Sequence, residues 1–218
     1  MPLHSLPYRL CLITDPAYLP EGSFEEKMSE ALSGGVDMVQ YRNITGTREE
    51  KMAQARILRR ITGQWGAALI INKEMDIAEA VQADGVQLGK GSLSVSEVRS
   101  RLGKDFLIGA SVHNAGEIEE AESAGADFLI LSPLFAPGSK ETNLPSLGPV
   151  KFSALCRAAK SPIFALGGIT PENAAIAFEC GAHGLASISG ILGAPCVYEA
   201  AGRMKNMNSN IQNHRAGF

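Results

Sequence analysis

Short apolar runs alternate along almost the whole chain with longer segments whose apolar positions recur every three or four residues. Strand-like runs fall at 9–14, 67–71, 106–109 and 163–166. Four more belong to a weak internal repeat: Gly35-Val36-Asp37-Met38-Val39-Gln40, Ala83-Asp84-Gly85-Val86-Gln87-Leu88, Gly125-Ala126-Asp127-Phe128-Leu129-Ile130 and Gly181-Ala182-His183-Gly184-Leu185-Ala186. Each copy places small or acidic residues between a helical segment and an apolar run. Glycine there supplies a left-handed helix end, and an unbroken apolar run suits a strand buried on both faces. Helical spacing covers 24–32, 48–61, 75–81, 95–102, 115–124, 149–159, 172–180 and 197–204. Pro171 suits the first turn of its helix, with Thr170 as the N-cap.

Strict strand–helix alternation implies right-handed crossovers and a parallel sheet. Eight copies favour closure into a single (β/α)8 TIM barrel of the α/β class over an open doubly wound sheet, and no GxGxxG follows the first strand. The expectation is one domain over 1–218, with the barrel at about 9–205 and a polar, loose tail from 206 to 218. The one long connection, 132–148, is rich in Pro, Gly and Ser, and at the C-terminal face of a barrel such a loop is usually functional, often a lid.

Composition narrows the choice of partner. The chain has 218 residues, 45% hydrophobic and 20% charged, enough for one well-filled core. A net charge of −3 gives no general pull toward nucleic acid or an anionic membrane. No apolar run approaches the ~20 residues of a membrane span. The N-terminus lacks the charged-then-apolar pattern of a secretory signal, so the cytoplasm is the expected compartment. The four cysteines, Cys11, Cys156, Cys180 and Cys196, form no CxxC pair and suggest neither disulfides nor a structural metal.

Barrel chemistry sits at the C-terminal strand ends. Those ends carry Thr14-Asp15, Gln40-Tyr41-Arg42-Asn43, Asn72-Lys73-Glu74, Gln87-Leu88-Gly89-Lys90-Gly91-Ser92, Ser111-Val112-His113-Asn114 and Ser132-Pro133, with Lys140 in the long loop. Arg42, Lys73, Lys90 and Lys140 outnumber the carboxylates there, so an acidic protein has a basic mouth suited to an anion. Arg42 has two readings, ligand contact or a pair with a rim carboxylate. Ser111 is better placed as a phosphate donor than as a nucleophile, because no base accompanies it in the sequence. His113 has the titration range of a general acid or base, and also the position of a residue that caps a helix. The strongest signal is Leu166-Gly167-Gly168-Ile169-Thr170 with Ser187-Ile188-Ser189-Gly190, two small-residue turns where seventh and eighth strands end. Backbone N–H groups reach an anion closely only where side chains are small, and a short extra helix there completes the usual barrel phosphate site.

With those residues in view, the chain resembles the thiamine phosphate synthase and TenI superfamily of barrels. The resemblance runs through Gly34-Gly35-Val36-Asp37-Met38-Val39-Gln40-Tyr41-Arg42, Ala83-Asp84-Gly85-Val86-Gln87-Leu88-Gly89, Gly109-Ala110-Ser111-Val112-His113, Gly125-Ala126-Asp127 and Ala165-Leu166-Gly167-Gly168-Ile169-Thr170, from about 9 to 205. It implies a phosphorylated thiazole as ligand and, for the synthase branch, a hydroxymethylpyrimidine diphosphate that loses pyrophosphate with the help of magnesium. On that resemblance, Gln40, Arg42, Asn72, Ser111 and Lys140 hold the pyrimidine and its diphosphate, with Lys73 as an added contact. Gly167, Gly168, Ile188, Ser189 and the loop hydroxyl of Ser139 hold the thiazole phosphate.

Three positions depart from the synthase pattern. Ile44 replaces a lysine, and Lys73 and Ser92 replace the two magnesium aspartates. The expectation is therefore a TenI-like, thiazole-tautomerase-like member with an incomplete catalytic set. No cofactor or metal is expected, and magnesium only if the chain is a synthase. That branch carries a histidine at the end of strand six, where this chain has Pro133, so proton transfer would fall to His113 or another group. The alternatives are a true synthase, or a binder of thiamin intermediates without turnover. A homo-oligomer is compatible with any of the three.

Overall fold

The computed structural model of the protein describes residues 6–136 and 145–216. Eight parallel strands close in sequence order into a barrel, each bonded to its chain neighbours and the eighth to the first. The strands are β1 (Leu10–Ile13), β2 (Met38–Tyr41), β3 (Ala68–Asn72), β4 (Gly85–Leu88), β5 (Leu107–Val112), β6 (Phe128–Leu131), β7 (Ile163–Ala165) and β8 (Gly184–Ser187). A 3-10 turn, Pro16–Tyr18, follows β1. The helices are α1 (Phe24–Ser33), α2 (Arg48–Trp65), α3 (Met75–Ala80), α4 (Val95–Leu102), α5 (Ala115–Ser123), α6 (Gly148–Ala158), α7 (Ala174–Glu179), α8 (Ser189–Leu192) and α9 (Val197–Ala216).

Two apolar layers follow from the pleat. Alternate strand residues point inward, and Cys11, Ile13, Met38, Ala68, Ile70, Phe128, Ile130, Phe164 and Ala186 fill the barrel interior. The opposite faces of the same strands, with Leu12, Val39, Leu69, Val86, Leu129 and Leu185, pack against the helices. Burial on both faces is why the strand sequences read as unbroken apolar runs. Cys11 is buried here, and burial pushes its thiol up out of the reactive range, as a small core residue requires. Gly109 makes room in the interior: a Cβ there would stand 2.2 Å from Gln87 Oε1 and 2.4 Å from the Phe128 ring.

The repeated aspartates act at the N-terminal end of the barrel. Asp37 accepts from the Arg9 and Leu10 N–H groups at 2.9 Å, Asp84 from Leu69 N–H at 2.7 Å and Asp127 from Ile108 N–H at 2.7 Å. Each also pairs with a cation, Lys205, Arg59 or Arg99. The repeat thus ties N–H groups in the opening residues of β1, β3 and β5, donors that need a partner where the strand begins. In the fourth copy His183 stands where the aspartate would, with the Arg9 guanidinium against its ring.

Two expectations change. Thr170-Pro171 forms a turn ahead of α7, which starts at Ala174, because the Asn173 carboxamide takes the Thr170 N–H at 2.9 Å and donates to the Gly168 carbonyl at 2.8 Å. The polar stretch read as a loose tail continues α9 to Ala216, since neither proline nor glycine interrupts 203–216.

Candidate active site at the mouth of the barrel

The turn after β7 meets the turn after β6. Gly167 has φ +103° and Gly168 φ +62°, in the region that favours glycine. A Cβ on Gly167 would stand 2.5 Å from Pro133 Cβ, and one on Gly168 2.7 Å from the Ala136 carbonyl oxygen. Conformation and contact therefore both demand glycine. Asn173 buttresses the loop through its bond to the Gly168 carbonyl. Across from it, β8 runs into Ile188 and the short helix α8, whose first residues are Ser189 and Gly190. The N–H groups of Gly168, Ser189 and Gly190 find no backbone acceptor among the described residues, so they remain available to an anion. The Ser189 side chain is exposed, whereas the Ser187 hydroxyl is committed to the Ile169 carbonyl at 2.9 Å. Beside these turns lies a cleft of about 400 Å³ that takes in Thr170, Ser189, Gly190 and Arg203; Arg203 pairs with Glu172 at 3.0 Å.

The other half of the mouth comes from β2 to β5. Gln40 and Asn72 continue the inward faces of Met38 and Ile70, and Ser111 continues that of Gly109. Gln87 donates to Ser111 Oγ at 3.0 Å, which fixes the serine and leaves its own hydrogen free to donate. Arg42 pairs with Asp15 at 2.8 Å, the rim reading, while Asp15 also caps the 3-10 turn through Ala17 N–H. Only one guanidinium nitrogen is spent on that pair, so the donors left over can still face a ligand. Thr14, placed at the end of β1 by the sequence but given no role there, accepts from Arg42 N–H at 2.8 Å and donates to the Arg42 carbonyl at 2.9 Å. A threonine closing an apolar run is its only sequence signal. Ile44 is 60% exposed, outside the mouth's polar set.

Charge at the ends of β3 and β4 is arranged unusually. Lys73 has φ +63°, its N–H donates to the Gln87 carbonyl at 2.9 Å, and its Nζ donates to the Lys90 carbonyl at 2.7 Å. Ser92 folds onto its own turn, accepting from Gly89 N–H at 2.9 Å and donating to the Gly89 carbonyl at 2.6 Å. The carboxylates that follow Lys73 turn toward α2: Glu74 pairs with Lys51 at 2.8 Å, and Asp76 pairs with Arg48, which holds its carboxyl below the usual range. A magnesium ion needs hard oxygen ligands with free carboxylates among them. Here it would meet an ammonium, an amide and a hydroxyl already used twice, and among the described residues no three His, Cys, Asp or Glu side chains converge. This donor set does not fit the ion.

His113 turns toward β6. Its Nδ1 lies 2.8 Å from the Ser132 carbonyl oxygen and so carries the hydrogen, leaving Nε2 as the basic nitrogen. Its backbone N–H donates to Glu117 at 2.7 Å, so the residue also ties β5 to α5. Tyr41, pushed up to about 12 by burial, stays protonated and donates to Gln54 at 2.8 Å behind the mouth. Ser139 and Lys140 lie outside the described residues.

Comparison with known proteins decides the family. A family model described as thiamine monophosphate synthase matches residues 10–191. The chain belongs to that family. Thiamine-phosphate synthase from Syntrophomonas wolfei is 37% identical over 200 residues, covering 92% of this chain and 96% of that one. The enzyme of the same name from Chlorobium luteolum is 38% identical over 208 residues, 95% of each chain. Among solved structures, thiamine phosphate pyrophosphorylase from Pyrococcus furiosus superposes with a TM-score of 0.84 at 30% identity, over 94% of this chain and 96% of that one. The family resemblance and the barrel read from the sequence therefore hold. Within the family, the named relatives are synthases, and support falls on the synthase alternative rather than on the tautomerase-like expectation. No helix among the described residues is long and apolar enough to cross a membrane.

Proposed function

We propose that this chain is a thiamine-phosphate synthase, which joins hydroxymethylpyrimidine diphosphate to thiazole phosphate and releases pyrophosphate. The observation that carries this reading is similarity of 37% to 38% to curated thiamine-phosphate synthases along nearly the full length of both chains. The mouth supports it with two anion-holding halves, the glycine turns after β7 and β8 on one side and the polar ends of β2 to β5 on the other.

In this reaction the bond between the pyrimidine methylene carbon and the diphosphate oxygen breaks, and its electron pair leaves with pyrophosphate. The lone pair of the thiazole nitrogen then forms the new carbon–nitrogen bond. No proton has to leave either partner, so the protein's contribution is to position both and to favour charge on the departing oxygens. Gly168, Ser189 and Gly190 would hold the thiazole phosphate through backbone N–H groups. Gln40, Asn72 and Ser111 would orient the pyrimidine, and Arg42 with Lys73 would face the diphosphate. His113 has no step in this scheme, consistent with its ties to Ser132 and Glu117. A cytoplasmic place of action goes with such a biosynthetic step.

A tautomerase-like reading draws on Lys73 and Ser92, yet β6 is followed by Ser132-Pro133 without a histidine. The test mixes the purified protein with both synthase substrates, with and without magnesium, and follows thiamin phosphate by chromatography with thiochrome fluorescence. Product above the protein-free control is expected. Absence of product from folded protein would overturn the synthase reading, and turnover of a thiazole carboxylate phosphate in an assay coupled to an authentic synthase would then favour the isomerase.

A further inference from the structure

We propose that Lys73 and Lys90 hold the departing diphosphate by themselves, so that this mouth binds pyrophosphate without a divalent cation; the inference rests on the synthase reading for the identity of the anion. The Lys73 backbone is in the left-handed region, an uncommon conformation for a lysine, and its N–H is tied to Gln87 at the end of β4. From there the ammonium reaches the Lys90 carbonyl at 2.7 Å. That bond uses one of its three hydrogens, leaving two to donate. The bond also anchors Lys73 to the residue that carries the second ammonium.

The acidic side chains that flank these lysines in sequence are engaged elsewhere, Glu74 with Lys51, Asp76 with Arg48, Glu79 with Arg101 and Asp84 with Arg59, and Asp15 at the end of β1 pairs with Arg42. Lys73 and Lys90 themselves make no ion pair among the described residues. The Lys73 ammonium, held by that bond, and the exposed Lys90 side chain thus remain uncompensated at the ends of β3 and β4, beside a donor set that does not suit magnesium. Two carboxylates and one divalent ion would sum to zero charge at these positions. An ammonium and a hydroxyl leave one positive charge with no ion present. Electrostatic stabilisation of the leaving group needs that charge, and ammonium groups supply it as a metal would.

The test is calorimetric titration of inorganic pyrophosphate into the full chain, once in EDTA and once in magnesium. The wild type is compared with Lys73→Asp and Lys90→Met. Both lysines are exposed, and aspartate tolerates the left-handed region, so neither change threatens the fold. Expected is binding in EDTA that magnesium alters by less than about threefold, and a loss of about tenfold or more in each variant. Binding that requires magnesium, binding that both variants keep, or no binding in either buffer would overturn the proposal. Thiamin phosphate formation is followed on the same preparation. Metal-free pyrophosphate binding without product would keep this site and remove the synthase reading; product with strictly magnesium-dependent pyrophosphate binding would do the reverse.

Discussion

At Gly168 the chain leaves no room for a side chain and no backbone freedom to avoid one. Gly168→Ala would place a Cβ 2.7 Å from the Ala136 carbonyl in a left-handed conformation. The expected cost is about 1–2 kcal/mol of stability from conformation alone, read by urea denaturation. The turn must also shift, so thiazole phosphate binding should weaken by about tenfold or more in calorimetry. A variant that binds the phosphate as tightly as the wild type would remove this turn from the site. The glycines were legible because a Gly-Gly pair ending an apolar run has few other uses. Asn173 was not, since an asparagine just past a proline reads as an ordinary first-turn residue until its bonds to Thr170 and Gly168 are seen. Glu74 and Asp76 carry the same lesson. The sequence sets Glu74 at the end of β3 and Asp76 just after it without saying where either points, and only the packing of α2 shows Lys51 and Arg48 drawing them away.

Helix α2 owes its start to a complete capping box, with Thr47 accepting from Glu50 N–H at 3.2 Å and Glu50 from Thr47 N–H at 2.7 Å. Thr47→Ala should cost about 1 kcal/mol of stability, measured by chemical denaturation. Because Arg48 and Lys51 lie in the first turn after that cap, the same change should loosen the pairs that keep Asp76 and Glu74 off the mouth. The strands and helices themselves were legible, since burial on two faces and on one face leaves different periods in the sequence. Their ends were less so. α2 runs past its last buried apolar position to Trp65, and α9 extends through a polar stretch to Ala216, because backbone bonding continues where no breaker stops it even after the buried stripe ends. α7 starts late because Asn173 spends its side chain on the preceding turn.

Across the barrel, stability and chemistry occupy opposite ends. The aspartates of the internal repeat secure the N-terminal end, and the C-terminal end carries the glycine turns and free cations, the division of labour this architecture allows. The repeat was visible as a pattern, but its work, capping β1, β3 and β5, required the register. His183, the odd member of the repeat, makes this end sensitive to acid. Burial first, and Arg9 second, lower its pKa from 6.5 to about 4. Between those values the unfolded chain takes up a proton that the fold refuses, so its contribution to stability is full above pH 6.5 and is lost as pH falls toward 4. Urea denaturation across that range should show the wild type losing stability more steeply than His183→Gln; parallel curves would show that His183 is not the sensor.

The central claim is that this mouth exchanges a carbon–oxygen bond to pyrophosphate for a carbon–nitrogen bond to the thiazole. Phosphorus NMR of the protein with both substrates reads the exchange directly, because pyrophosphate and thiamin phosphate are resolved in one spectrum. The account predicts that the two rise one for one, and that neither rises when thiazole phosphate is left out. Pyrophosphate released without thiamin phosphate, or unchanged spectra from folded protein, would contradict it.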